Sequence, residues 1–425
     1  MRTSPDTISG KTSSRLFPIE PRLLSLCVLH YVVDYFGGLL APLPEPTLTS
    51  HLNVNLGSIA LLLGGCALLT NVIQPLSGCF FPRRGIPVIL LIAPIFAALS
   101  CLIGLSHSVR WTGMVLVLSS IGIGLLHPEA ALAAHSLSKR HPGFGMALFV
   151  SGGYFGFSCG SLISGFWVHH HDQDLSSFWI LGVPVIPALG LVLLTRLHRL
   201  TGHVPEHVSS QVGPFPFHLV WPMAICIATN MCLLVRFITI LSVRRFPEPS
   251  AQAWGGAAVF ATGISGSLGS FLWGYLSDKL GKARVILFLQ FACQPFLYMA
   301  THASSPMLTP LWSVGVGLTM GATFPMAVLL ARQARGLGER LKMGLAIGGS
   351  WGIGEIVFIL AGIYVGRFPP GDPVPVFRIY WICWVLLVMT AVLAFLVSKR
   401  EPTSWSPSEN LFSSQRRGGA RKERR

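Results

Sequence analysis

Apolar stretches of about membrane-spanning length follow one another from Leu23 to Val397, broken only by short polar or Pro/Gly-rich segments. A helix crossing a bilayer needs roughly 20 predominantly apolar residues. The pattern predicts twelve such segments, at 23–44, 57–81, 86–106, 111–136, 144–168, 177–197, 218–243, 252–276, 283–303, 307–331, 342–366 and 377–398. In lipid each segment must satisfy its own backbone polar groups, so segments of this kind are helices. A barrel would need alternating segments of about ten residues, and the chain has none. The predicted fold class is an all-α membrane protein with twelve transmembrane helices.

Composition agrees with that pattern. The chain has 425 residues, 52% hydrophobic and 11% charged, whereas soluble chains carry about 25% charged residues. A net charge of +15 would suit a nucleic-acid partner, but its placement argues against one, because the basic residues lie in tails and loops. Lys and Arg fill the two tails and alternate loops: Arg83 and Arg84, Lys139 and Arg140, Arg196 and Arg199, Lys279, Lys282 and Arg284, and the stretch 332–342. The opposite loops hold only Arg110, Arg244, Arg245, Arg367 and Arg378. Positive loops stay in the cytoplasm, so both termini are expected there, as an even number of spans requires. The first 22 residues lack the apolar core of a cleavable signal. The nine Cys lie in or beside apolar stretches without C-x-x-C spacing, so neither a disulfide framework nor a zinc site is expected.

The chain also repeats. Gly78 and Gly85 recur as Gly274 and Gly281, and G-G-Y-F-G at 152–156 recurs as G-G-S-W-G at 348–352, all offset by 196 positions. G-I-G-L at 122–125 returns as G-V-G-L at 315–318. These matches predict two pseudo-symmetric six-helix bundles, 23–200 and 218–398, joined by a Pro-containing cytoplasmic linker at 201–217. A polar tail at 1–22 and a basic, disordered tail at 399–425 flank them. Parallel repeats of this kind are a secondary-transporter architecture, with substrate near the midplane between the bundles.

Charges stranded at bilayer depth cost at least about 2.5 kcal/mol and mark functional positions. They are Asp34, Glu129, Arg236 and Glu355. His30 and Asp34, four residues apart, share a helix face. Desolvation favours the neutral form of a carboxylate, so Asp34 is read as a proton carrier. His127 and Glu129 flank Pro128, which can open a helix locally, and histidine titrates near neutrality. Static polar contacts between spans are the alternative for each. Arg236 and Glu355 stand in the first and fifth spans of the second bundle. Either they form an ion pair, or Arg236 receives an anionic substrate group. Gly152, Gly156 and Gly160 fall on one face and allow close helix approach, expected here across the bundle interface. G-F-S-C-G at 156–160 fits a nucleophile pattern that needs a strand-to-helix elbow, whereas it lies within a span. H-H-H-D-Q-D at 169–174 is read as a solvated external loop rather than a metal site.

G-Y-L-S-D-K-L-G-K-A-R at 274–284 resembles the loop signature of the major facilitator superfamily. The resemblance implies a conformational latch made by Gly274, Asp278, Gly281 and Arg284. In it, Asp278 accepts charge-assisted hydrogen bonds from Arg284 or from a neighbouring helix N-terminus. The first-half copy has Pro82 in place of the Asp and is expected to have lost its latch. L-H-Y-V-V-D-Y-F-G-G at 29–38, L-H-P-E-A-A at 126–131 and G-G-Y-F-G-F-S-C-G at 152–160 are similar to the fosmidomycin-resistance branch, bacterial drug exporters driven by proton entry. His30, Asp34, His127, Pro128 and Glu129 match that branch, while Leu29, Val33, Tyr154 and Ser161 depart from it. The resemblance implies a proton-coupled antiporter exporting a small amphiphilic compound from a bacterial inner membrane. A symporter importing a metabolite and a non-transporting receptor are the alternatives. No phosphate-binding G-x-x-x-x-G-K-[ST] motif is present. A monomer without cofactor, metal or nucleic acid is expected, and no enzymatic constellation is found.

Overall fold

The computed structural model of the protein describes residues 20–80, 86–137, 142–200 and 214–401. The N-terminal tail up to residue 19, most of the linker, Pro82 with Arg83 and Arg84, Lys139 with Arg140, and the tail beyond Glu401 lie outside the described residues.

Twelve helical tracts cross the described residues in succession. In the first half they are α1 (Pro21–Gly38), α2 (Leu56–Phe80), α3 (Ile89–Leu105), α4 (Val109–Leu137), α5 (Pro142–His170) and α6 (Phe178–Leu194). The second half has α7 (Phe217–Arg245), α8 (Ala251–Leu280), α9 (Lys282–Thr301), α10 (Leu308–Gln333), α11 (Leu341–Val365) and α12 (Val374–Ser398). Eight of them, α2, α4 and α7 to α12, are long and apolar enough to cross a membrane on length and composition alone. The tracts α3 and α6 are shorter and apolar. The remaining two, α1 and α5, are diluted by His30 and Asp34 and by glycine and serine respectively.

Local sequence explains where the helices depart from the expected segments. The first ends at Gly38, six residues early, because Pro42, Pro44 and Pro46 cannot supply helical N–H donors. The chain continues there through a π-turn, Pro44–Leu48, and one helical turn, Thr49–Leu52, closed by left-handed Asn53. Glycine-rich π-turns interrupt α10 at Gly317–Gly321 and α11 at Leu345–Gly349. Such bulges are frequent at functional positions.

Helix packing repeats between the halves. In the first, α1 packs on α5, α2 on α4 and α3 on α4; in the second, α7 packs on α11, α8 on α10 and α9 on α10. The bundles meet through α5 against α8 and α2 against α11, a pair of contacts that the pseudo-symmetry exchanges. One apolar core, around Leu26, Phe36, Leu126 and Phe178, belongs to the first bundle. Another, around Phe215 with Leu330, serves the second, and a third, around Phe237 with Phe358, also takes in Ala41, Leu56 and Ala60 of the first.

The glycines of α5 do bring helices together, but against a partner in the same bundle. A Cβ on Gly152, Gly156 or Gly160 would fall within contact distance of the carbonyl oxygens of Cys27, Tyr31 and Tyr35 in α1. The expected inter-bundle approach is made instead by Gly256 and Gly263 of α8, which face Ser161 and Ser158 of α5. Apolar lipid provides no hydrophobic force between helices, so such close backbone approach carries much of their association.

Candidate functional site

Asp34 lies at the centre of a three-residue cluster. His30, one turn earlier on α1, sets its Nε2 3.3 Å from Asp34 Oδ2. His127 of α4 sets its Nε2 3.3 Å from Asp34 Oδ1. Both rings are anchored from behind. His30 Nδ1 donates to the Phe149 carbonyl at 2.8 Å, and His127 Nδ1 donates to the Ile123 carbonyl at 2.7 Å. Phe149 also stacks on His30 with centroids 4.1 Å apart. A carbonyl only accepts, so each Nδ1 carries a hydrogen and each Nε2 is turned to the carboxylate. Gly153 of α5 makes room for the cluster, since a Cβ there would run into Asp34 and His30. His30 is walled in at 6% side-chain exposure, while Asp34 at 20% and His127 at 26% remain reachable.

That arrangement has a chemical consequence. A neutral imidazole whose Nε2 has no hydrogen would point a lone pair at a carboxylate lone pair. Each 3.3 Å gap is attractive only when a proton lies in it. His30 Nε2 is buried without a completed hydrogen bond, so the cluster offers two positions, one in each gap, that a proton can fill. Its nitrogen and oxygen atoms lie within 4.8 Å of one another, a spacing at which protons, or a cation, can be shared.

Arg236 and Glu355 meet in the second bundle. Arg236 Nη2 donates to Glu355 Oε1 at 3.2 Å, and the guanidinium lies over the Phe358 ring at 5.2 Å. Glu355 Oε2 is buried without a hydrogen-bond partner. Cys232 stands beside the pair on α7, and the Phe358 ring under the guanidinium packs against Gly64 on α2 of the other bundle. The pair therefore lies next to the α2–α11 contact between the bundles.

A second Arg–Glu pair escapes the sequence reading. Arg244, counted there as a loop cation, is buried at the end of α7. It grips Glu45 with two bonds, Nε to Oε2 at 2.8 Å and Nη2 to Oε1 at 3.2 Å, while Nη1 donates to the Asp372 carbonyl at 3.2 Å. Gln252 of α8 adds bonds to the Pro42 carbonyl at 2.6 Å and to Thr47 Oγ1 at 2.8 Å. Thr47 in turn donates to Gln173. This net ties the two bundles together at the end away from the chain termini. The available signal was scarcity, because Glu45 is the sole acidic residue between Asp34 and Glu129.

Glu129 does not join Asp34. It is two positions from His127, about 200° around the helix, and its Oε1 accepts from the Ile86 N–H at 2.8 Å, at the entrance to α3. Asp278 also differs from expectation. It is exposed and pairs with Lys282 at 3.0 Å, not with Arg284, which reaches back to the Leu280 carbonyl at 3.5 Å. The carboxylate on the α9 N-terminus is Glu401. Its oxygens accept from the N–H groups of Lys282 at 2.8 Å and Ala283 at 3.0 Å. Ile86 and Lys282 are related by the same 196-position repeat as the loop glycines. A carboxylate thus holds the corresponding donor in each half, brought by α4 in one and by the segment after α12 in the other. Gly281, at φ 93°, makes the turn between α8 and α9.

Two motifs are spent on structure. Ser158 of G-F-S-C-G donates to the Tyr154 carbonyl at 2.6 Å within α5. His171 donates to the Trp167 carbonyl at 2.9 Å and Asp174 accepts from Ser176, so these two groups of that loop are engaged separately.

Two repeated helical bundles, charged groups buried within each and a bonded net across one end define a multi-pass integral membrane protein built as a secondary transporter. The model of the Major Facilitator Superfamily matches residues 26–326, and the chain belongs to that family. It is a transporter rather than an enzyme. The fosmidomycin resistance protein of Escherichia coli (strain K12) is 22% identical over 395 residues, covering 88% of this chain and 92% of the relative. The benzoate transport protein of Acinetobacter baylyi (strain ATCC 33305 / BD413 / ADP1) is 21% identical over 446 residues, covering 93% and 94%. The fold also matches a bacterial homologue of the human lysosomal transporter Spinster in an inward-facing and occupied conformation. The TM-score is 0.65 at 15% identity, over 91% of this chain and 98% of that one.

Proposed function

We propose that the protein is a proton-coupled antiporter that exports a small amphiphilic compound by alternating access. The observation that carries this reading is the His30–Asp34–His127 cluster, with both Nε2 atoms turned to one carboxylate. Loading and emptying its two proton positions changes the attraction between α1 and α4 and so the preferred tilt of the first bundle. The basic loops put both termini in the cytoplasm. The Glu45–Arg244 net then closes the outer end, and the state described is the one closed to the outside. Glu129 and Glu401 serve as anchors for the cytoplasmic entrances of α3 and α9. The similarity to a fosmidomycin resistance protein supports export. Similarity to a benzoate transport protein favours the second reading, proton-linked uptake of an organic acid through the same cluster.

The test is proton movement in proteoliposomes loaded with a pH-sensitive dye and challenged with antibiotics, phosphonates and organic acids. Substrate-evoked proton flux should appear in the wild type and vanish in Asp34→Asn. Equal flux in both would remove Asp34 from the proton path. Substrate movement driven by a sodium or divalent-cation gradient, and indifferent to pH, would replace the proton as coupling ion. The sign of the flux separates antiport from symport.

A further inference from the structure

We propose that Arg236 is the receptor for the cargo's head group, and that the cargo is an organic anion bearing a carboxylate or phosphonate oxyanion. The inference rests on the transporter reading and adds the substrate's charge. A guanidinium presents five N–H donors in a planar fork that fits a carboxylate or phosphonate at two points. Arg244 uses its fork in that way, engaging both oxygens of Glu45 and then a carbonyl. Arg236 does not. A single bond of 3.2 Å joins it to Glu355, the Cys232 thiol stands beside it, and no other oxygen acceptor is bonded to it among the described residues.

Its partner is equally unfinished, since Glu355 Oε2 is buried and unbonded. A buried charged pair left half-satisfied is costly where the surroundings are apolar. A pair kept only for stability would be expected to close its fork, as the Glu45 pair does. The position of this one also matters. Arg236 rests on the Phe358 ring, and that ring packs against Gly64 of the first bundle.

Glu355 then acts as a competitor. It occupies one edge of the fork while the site is empty and must share or surrender it when an anion arrives. This gives the proposal a direction that a purely structural pair lacks: neutralising Glu355 should tighten anion binding.

Equilibrium binding of benzoate, phenylacetate and phenylphosphonate to the full chain in lipid nanodiscs tests this, with benzamide, phenylacetamide and diethyl phenylphosphonate as neutral counterparts. At least one anion should bind about tenfold or more tighter than its counterpart, the difference a charge-assisted bond commonly makes. Glu355→Gln should tighten that anion severalfold. Arg236→Gln combined with Glu355→Gln, which strands no charge, should weaken it at least tenfold while preserving the melting profile. Wild-type protein that binds none of the anions, neutral compounds that bind as tightly, or a double variant that keeps full anion affinity would each overturn the assignment. Flux measured beside binding keeps the two readings apart. Anion binding without movement would count against transport, and movement of the neutral compounds alone would count against Arg236 as an anion receptor.

Discussion

Arg236 and Arg244 stand on the same helix about two turns apart, and each meets a glutamate from a distant part of the chain. The outer pair is finished: both carboxylate oxygens are used, the third guanidinium nitrogen is bonded, and almost no solvent reaches either side chain. The inner pair has one bond and an orphaned oxygen. A closed fork holds two bodies in register, whereas an open one keeps capacity for something that comes and goes. Hydrogen-bond completeness, more than burial or charge, separates a fastening from a receptor inside this protein.

Breaking the finished pair should have the largest effect. Glu45→Ala leaves Arg244 buried and uncompensated and should cost about 3–5 kcal/mol, read by unfolding in micelles. Exchanging the two residues, Glu45→Arg with Arg244→Glu, should recover part of that loss. Without such recovery, the pair would not be the source of the stability. The unfinished pair should matter less to folding. Glu355→Ala also strands an arginine, but Arg236 keeps 11% exposure against 1% for Arg244 and loses one hydrogen bond rather than two, so the cost should be smaller, about 1–3 kcal/mol. Equal losses for Glu45→Ala and Glu355→Ala would erase the distinction between them.

Gly153→Ala sharpens the contrast from the other bundle by pushing a methyl group into Asp34 and His30. Overpacking of this kind costs about 1–3 kcal/mol, and here proton-coupled flux should fall further than melting temperature does. The smallest effect belongs to Glu401→Ala, which uncaps α9. A lost cap is worth about 0.5–2 kcal/mol, visible as faster hydrogen exchange at Lys282 and Ala283.

Much of this was legible beforehand, and the limits have physical causes. Apolar length located the helices, and the glycine repeat located the halves. Asp34 and His30 could be paired by helical spacing, and Arg236 and Glu355 by their places in the repeated unit. Glu129 makes a static contact between spans, the alternative given for it, because two positions along a helix face nearly opposite ways and turn it from Asp34 to the Ile86 N–H. Glu45 and Arg244 were hidden by lying just past the ends of apolar segments, where charge usually means solvent. Asp278 attracted attention through its motif, while the carboxylate that binds the α9 backbone came from a segment read as tail. Contacts between distant loops leave no periodic trace in one sequence.

Glu401 carries a practical lesson for anyone shortening the chain. Cutting after Ser398 would spare every helix, and a hydropathy plot would judge the product intact. It would nevertheless remove the anion seated on two backbone amides at the α8–α9 turn. A purification tag fused immediately after α12 would crowd the same contact. For expression work, the boundary to respect lies three residues beyond the last span.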